Sequence, residues 1–232
     1  MPLIVLWDID HTLIENSGVS KEIYAATFAA AAGRAAAHPA RTEGRTDRLI
    51  LAEMFRDHGL EPPDWEVILP LLEAAGAARE ADLALRGRAL PGAREALTAV
   101  GAMPGVVSSV LTGNIAANAR VKLRAFGLDI LVDMECGAYG EHSEERAALV
   151  KVARDHIQEV HGLPLDTPLV LIGDTPRDVQ AALDSDAHVI AVTSGIHSTE
   201  ELRRAGAAIV LPDLRDASAL LSHLRSLASS AC

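Results

Sequence analysis

Two aspartates one residue apart, Asp8 and Asp10, follow the short apolar run Leu3–Trp7. In an extended chain, side chains at this spacing leave on the same side. Two carboxylates on a buried edge need a shared proton, a basic partner or a divalent cation. Aspartates also serve as helix N-caps and turn residues, so this stretch alone leaves both readings open. Further along, Thr112-Gly113-Asn114 follows one apolar run and Gly173-Asp174 another, with Asp178 one helical turn beyond. Carboxylate oxygens suit Mg²⁺. A hydroxyl and free backbone amides at a helix start suit a phosphate oxygen. Brought together, these groups have the chemistry of phosphoryl transfer.

The elements that must position them can be read from the pattern. Leu3–Trp7 is aliphatic and too short for an amphipathic helix, and it suits a strand buried on both faces. Further strands are expected at residues 106–111, 130–134, 169–172, 188–192 and 208–211, alternating with helices at 91–99, 115–126, 143–160, 176–183, 198–205 and from 216 onward. Repeated βα units predict an α/β fold with a doubly wound parallel sheet, whose strand carboxyl ends share one rim. Between Leu13 and Pro91 no strand-like run occurs. Helices are expected there at 20–33, capped by Ser20, at 46–58, and as one long stretch over 65–87. The predicted organisation is a core of residues 1–14 and 90–232 with a smaller helical cap of residues 15–89.

Composition sets bounds. The 232 residues carry a formal charge of −11 with no basic tract, which argues against nucleic-acid partners and anionic lipid surfaces. A small anionic substrate stays compatible, because a bound cation reverses the local field. Cys136 and Cys232 form neither a disulfide framework nor a metal-ligand pair by spacing, and Cys136 reads as a small buried hydrophobe. Trp7 and Trp65 read as packing residues. No leader-like or long apolar stretch occurs, so a cytoplasmic protein, monomeric or homodimeric, is the default expectation.

The motifs resemble those of the haloacid dehalogenase-like hydrolases, in the phosphatase branch with a helical cap after the first motif. Asp8-Ile9-Asp10-His11-Thr12-Leu13 is similar to that family's first motif, Leu111-Thr112-Gly113-Asn114 to its second, and Gly173-Asp174-Thr175-Pro176-Arg177-Asp178 to its fourth. The resemblance implies Asp8 as the nucleophile that accepts the phosphoryl group, and Asp10 as the acid that protonates the leaving alcohol and then the base that activates water. An acid at neutral pH needs a raised pKa, which neighbouring carboxylates and burial favour. Mg²⁺ would be held by Asp8, the Asp10 carbonyl and Asp174, with Asp178 supporting from outside. Thr112 and the amides of Gly113 and Asn114 would hold phosphoryl oxygens. The third motif, a basic residue before the fourth, falls on Arg146, with Lys151 as the alternative. The family usually has Gly where His11 stands, and an imidazole there either lines the entrance or is an exposed loop residue.

The same resemblance implies a small phosphorylated metabolite as substrate, possible relatives being phosphoglycolate phosphatases. Gly44-Arg45-Thr46-Asp47 is similar to their cap loop, and Arg45 could read a second anionic group or simply solvate a helix start. Glu15 and Ser17 mark the hinge into the cap. Asp10 favours phosphate chemistry over dehalogenation. Lys21 is the only lysine between Leu13 and Pro91, which disfavours Schiff-base phosphonate cleavage. Sugar-phosphate mutases share the core motifs, and a non-catalytic phosphate- or partner-binding member is the remaining alternative.

Overall fold

The computed structural model describes residues 2–230. Six strands form one parallel sheet: β1 (Leu3–Trp7), β4 (Val106–Leu111), β5 (Asp133–Ala138), β6 (Leu169–Gly173), β7 (His188–Val192) and β8 (Ile209–Leu211). Their order is β5-β4-β1-β6-β7-β8. The first strand is central, paired to β4 on one side and β6 on the other, in parallel register. All five of its residues are buried, as expected of a strand covered on both faces.

Helices cover both faces. Helices α5 (Ala93–Gly101), α6 (Ala116–Arg124) and α10 (Ala217–Ser230) pack on the side that holds Trp7, Val110 and Ile172. Helices α7 (Arg146–His161), α8 (Pro176–Leu183) and α9 (Thr199–Arg204) cover the face of Leu6, Leu111 and Leu171. Burying such side chains stabilises the sheet by roughly 1.5–3 kcal/mol each. The indole of Trp7 donates to the Ser108 hydroxyl at 3.0 Å, which satisfies its N–H inside the core. Cys136 is buried, and burial together with the nearby Asp133 pushes its thiol up to about 12, consistent with an inert packing residue.

Between β1 and the rest of the sheet lie four helices: α1 (Val19–Ala32), α2 (Asp47–Asp57), α3 (Trp65–Ala77) and α4 (Glu80–Arg86). They bury their own cluster around Phe28, Ile50, Phe55 and Leu72. Trp65 takes part in this packing with the Arg48 guanidinium 5.3 Å from its ring centre.

Several local expectations need correction. Two short strands do occur between Leu13 and Pro91: β2 (Ile14–Glu15) and β3 (Arg88–Ala89) pair antiparallel, tying the two crossings into the helical unit together. At two residues each they carry no periodicity to read. The expected 65–87 helix is two, α3 and α4, because Ala78 and Arg79 close the first before Arg79 opens the second. Gly18, not Ser20, is the N-cap of α1, and Ser20 falls inside the helix. Ser143 sits ahead of α7, where its hydroxyl accepts from the Glu145 amide, and the helix starts at Arg146. The strand expected at 130–134 begins instead at Asp133, after a 3₁₀ turn (Asp129–Leu131), and bulges against β4.

Candidate active site

The carboxyl ends of β1, β4 and β6 meet under the helical unit, where Asp8, Thr112 and Asp174 emerge side by side around a cavity of about 250 Å³. The wall on the sheet side is built by Asp8, Asp10, Thr112, Gly113, Asn114, Arg146 and Asp174; on the helical side Ser20, Lys21, Tyr24 and Arg45 face them.

Arg146, in the first turn of α7, is buried and bridges two carboxylates: a terminal nitrogen lies 2.6 Å from Asp8 Oδ1 and 2.6 Å from Asp178 Oδ1. Burial works against its charge, but Asp178 and Asp8 outweigh that and hold the guanidinium more firmly protonated. Of the two basic candidates the structure brings Arg146 to the site. Lys151 points to solvent and pairs with Asp155.

Asp8, Asp174 and Asp178 each turn an oxygen toward a common point, all within 4.8 Å of one another. Burial raises Asp8, Arg146 pulls it down, and Asp178 and Asp10 push it up again, leaving its carboxyl at about 7. Burial and then Asp8 hold Asp174 well above the usual carboxylate range. Three converging buried carboxylates and one guanidinium leave a net negative point, which a hard divalent cation fits. Gly195 makes room for the Asp174 carboxylate, since a Cβ there would overlap Asp174 Oδ2. Thr12 donates to Asp174 at 3.3 Å and fixes that carboxylate. Asp178 also closes a capping box with Thr175, its Oδ2 accepting from the Thr175 amide at 3.0 Å. It therefore orients α8 as well as Arg146.

Asp10 behaves differently from the expectation of a raised pKa. Burial does push its carboxyl up, but Lys122 outweighs it, with help from the Asn114 amide, and the group stands at about 2. Lys122 Nζ lies 2.6 Å from Asp10 Oδ2, and the Asn114 side chain donates to the same oxygen at 2.8 Å. Asn16 donates to Oδ1 at 2.7 Å. In this arrangement Asp10 is an ionised carboxylate held by three donors.

Thr112 and Asn114 form one unit: the Thr112 hydroxyl accepts from the Asn114 amide at 3.2 Å and from its side chain at 2.7 Å. The Asn114 backbone N–H is thus turned to Thr112, leaving the Thr112 hydroxyl proton and the Gly113 amide as the donors placed on the cavity wall. Gly113 is needed there because a Cβ would overlap the Arg45 carbonyl. That close approach docks the 44–47 loop on the β4 end, where the Asp47 amide donates to Gly113 O at 2.7 Å.

His11 lies on the wall with φ +63°, the left-handed region that a Gly adopts without strain and a His can reach. Its ring approaches Glu15 at 3.2 Å. Arg45 also reaches the wall, with its Nε 3.2 Å from Glu53 Oε2 and a terminal nitrogen 3.8 Å from Glu43, so part of its charge is already balanced.

Sequence reading missed Lys122 and Asn16, and read Asp47 only as the last residue of the 44–47 loop motif. Lys122 has a legible signal: it sits with Ala119 and Leu123 on the buried stripe of α6. Asp47 is buried under the helical unit, accepting from Tyr24 Oη at 2.6 Å and the Ile115 amide at 2.8 Å, and the loop motif that contains it gave no sign of this burial.

An acidic site on the carboxyl rim of a doubly wound parallel sheet, beneath a helical insertion, defines a class of α/β hydrolases. A sequence profile of the haloacid dehalogenase-like hydrolases matches residues 5–183, and the chain belongs to this family. It is an enzyme of the hydrolase class. A hydrolase from Pseudomonas syringae shares 27% identity and superimposes with a TM-score of 0.69 over 98% of this chain and 100% of that one. A predicted phosphatase from Clostridium acetobutylicum, at 19% identity, superimposes with a TM-score of 0.67 over 96% and 99% of the two chains. CbbY from Rhodobacter sphaeroides, solved in complex with phosphate, shares 18% identity and a TM-score of 0.68 over 93% and 96%. The last two show likeness of fold alone. Among curated proteins, none matches the sequence. Among the described residues, no helix is long and apolar enough to cross a membrane.

Proposed function

We propose that the protein is a Mg²⁺-dependent phosphomonoester hydrolase that works through an aspartyl-phosphate on Asp8, with residues 15–89 acting as a cap over the site. The observation that carries this reading is the buried cluster of Asp8, Asp174 and Asp178 with Arg146 between two of them, opening on a cavity lined by Thr112 and Gly113. Asp8, Asp174 and the Asp10 carbonyl would hold the metal, with Asp178 behind them. When bound, Mg²⁺ supplies positive charge that keeps Asp8 ionised and screens the phosphate from the carboxylates.

The chain's own residues do the rest. A carboxylate oxygen of Asp8 attacks phosphorus, the ester P–O bond breaks, and the leaving oxygen takes a proton. Water then attacks the phosphoryl group, the bond to Asp8 breaks, and Asp10 takes the proton from that water. Arg146, the Thr112 hydroxyl and the Gly113 amide neutralise and orient the transferring group, which is where most of the rate arises in phosphoryl transfer. For Asp10 to protonate the leaving oxygen first, it must bind a proton that the arrangement of Lys122, Asn114 and Asn16 opposes; the arriving phosphate dianion shifts that balance in favour of the protonated form.

The cavity fits a small phosphorylated metabolite. Its far wall carries Arg45 and Lys21, and Ser20 Oγ there is buried without a partner, which supports a second anionic group on the substrate, as in phosphoglycolate. The test is phosphate release from a panel of phosphomonoesters with Mg²⁺ and with chelator. Release that depends on Mg²⁺ supports the proposal. Interconversion of sugar phosphates without release would favour a mutase, and no turnover with a bound phosphate ligand would favour a binding protein.

A further inference from the structure

Lys122 is 2% exposed, and a buried ammonium costs several kcal/mol unless it is paired and hydrogen-bonded. Its pairing is specific. Nζ lies 2.6 Å from Asp10 Oδ2 and 2.6 Å from Asn114 Oδ1. Asn114 in turn donates to the same Asp10 oxygen and to the Thr112 hydroxyl. The Asp10 side chain keeps 25% of its surface exposed while that of Lys122 keeps 3%. Asp10 lines the cavity and Lys122 does not. The cation is therefore behind the carboxylate, out of reach of a ligand in the cavity. A pair that served stability alone could be replaced by packed apolar groups at little cost. Here the buried partner instead fixes which way a cavity-facing carboxylate points, from the helix that follows the Thr112 loop.

We propose that Lys122 is a positioning residue for the proton-transfer group Asp10: by gripping Asp10 Oδ2 and Asn114 Oδ1 at once, it aims the Asp10 carboxyl group at the leaving oxygen of the substrate. This rests on the phosphomonoesterase reading above. A positioned acid accelerates proton transfer by roughly 10²–10⁴-fold, and only where the leaving group needs the proton.

The test compares kcat/KM for p-nitrophenyl phosphate, whose leaving group departs as a stable anion, with kcat/KM for an alkyl phosphomonoester, whose leaving group must be protonated. Both are measured for wild type and Lys122→Met. Lys122→Met also eases protonation of Asp10, but a misaimed acid cannot deliver its proton, so the expected result is a rise of about tenfold or more in the nitrophenyl-to-alkyl ratio of the variant. An unchanged ratio, with both substrates losing equally, would overturn the proposal, since a merely structural role acts on both. A second comparison holds if Lys122→Met alone folds poorly. Asp10→Asn/Lys122→Met removes both charges together, and its kcat/KM on p-nitrophenyl phosphate should match that of Asp10→Asn within about twofold, because a residue acting through Asp10 has nothing left to act on. A further loss in the double variant would overturn the proposal. If wild type hydrolyses neither ester, the phosphatase reading fails rather than this one. A crystal structure of Lys122→Met then decides: an Asp10 side chain turned away from the Thr112 loop supports positioning, and one unmoved on Asn16 and Asn114 refutes it.

Discussion

Replacing Arg146 probes the charge balance of the site in a way that separates stability from turnover. Its guanidinium lies 2.6 Å from both Asp8 and Asp178, and all three groups are buried. Truncation to Met leaves two buried carboxylates facing Asp174 with no cation. Breaking a buried pair by removing one partner costs about 3–5 kcal/mol when the remaining charge stays. Asp8 already stands at about 7 without a metal, so protonation can relieve part of this, and the loss of stability should fall at or below the lower end of that range. Turnover has no such relief. Arg146 is a protein cation in contact with Asp8, the proposed nucleophile, and losing one preorganised charge-stabilising donor typically costs about 10²–10³-fold in kcat. Arg146→Lys keeps a charge but presents it on a shorter, unbranched side chain in place of the terminal nitrogen that serves both carboxylates, so it should recover only part of the rate. The assay is steady-state phosphate release with saturating Mg²⁺, alongside thermal unfolding. A Met variant that folds and retains turnover within about threefold of wild type would refute the reasoning that Arg146 neutralises the transferring group.

Three other outcomes are expected. Gly113→Ala forces a Cβ into the Arg45 carbonyl; it should push the 44–47 loop off the β4 end and raise KM more than it lowers kcat, which steady-state kinetics will show. Arg45→Ala should raise KM for esters with a second anionic group more than for neutral ones, and equal KM changes across a substrate panel would return Arg45 to its ion pairs with Glu53 and Glu43. Metal-free protein should lose stability as pH rises through about 6 to 7. The sign follows from Asp47, raised to about 6, chiefly by burial, and Asp8, raised to about 7: both bind protons more tightly folded than unfolded, so their contribution is full below pH 4 and is lost as they ionise. Mg²⁺ should reverse much of the loss at pH 7, and a melting temperature that climbs with pH in chelator would contradict this.

The rim residues were legible because strand ends write themselves into sequence. A short β-branched run that stops at Asp8, at Thr112 or at Asp174 fixes both the element and the end from which the side chain emerges. Arg146 was reached only through the family resemblance, which implies a basic residue at the start of the helix before the last such run. What escaped was set by tertiary packing. Lys122 lies on the apolar stripe of α6 with Ala119 and Leu123, a sign that it is buried, but its partner Asp10 is set only when the fold turns that face inward. Asp47 reads as a first-turn acid, and only docking against Ile115 buries it. The direction of the Asp10 shift followed from neither neighbour in sequence, since Lys122 and Asn114 lie more than a hundred residues away. The paired strands at Ile14 and Arg88 were invisible for the same reason.

The central claim is that Asp8 carries the phosphoryl group. Rapid quenching of a reaction with a hydrolysed phosphomonoester and Mg²⁺, followed by borohydride, converts an acyl phosphate at an aspartate to homoserine, which peptide mass spectrometry locates. The account predicts homoserine at position 8 in wild type and no phosphate release from Asp8→Asn. Phosphate release with an unmodified Asp8, or continued turnover by the Asp8→Asn protein, would contradict it.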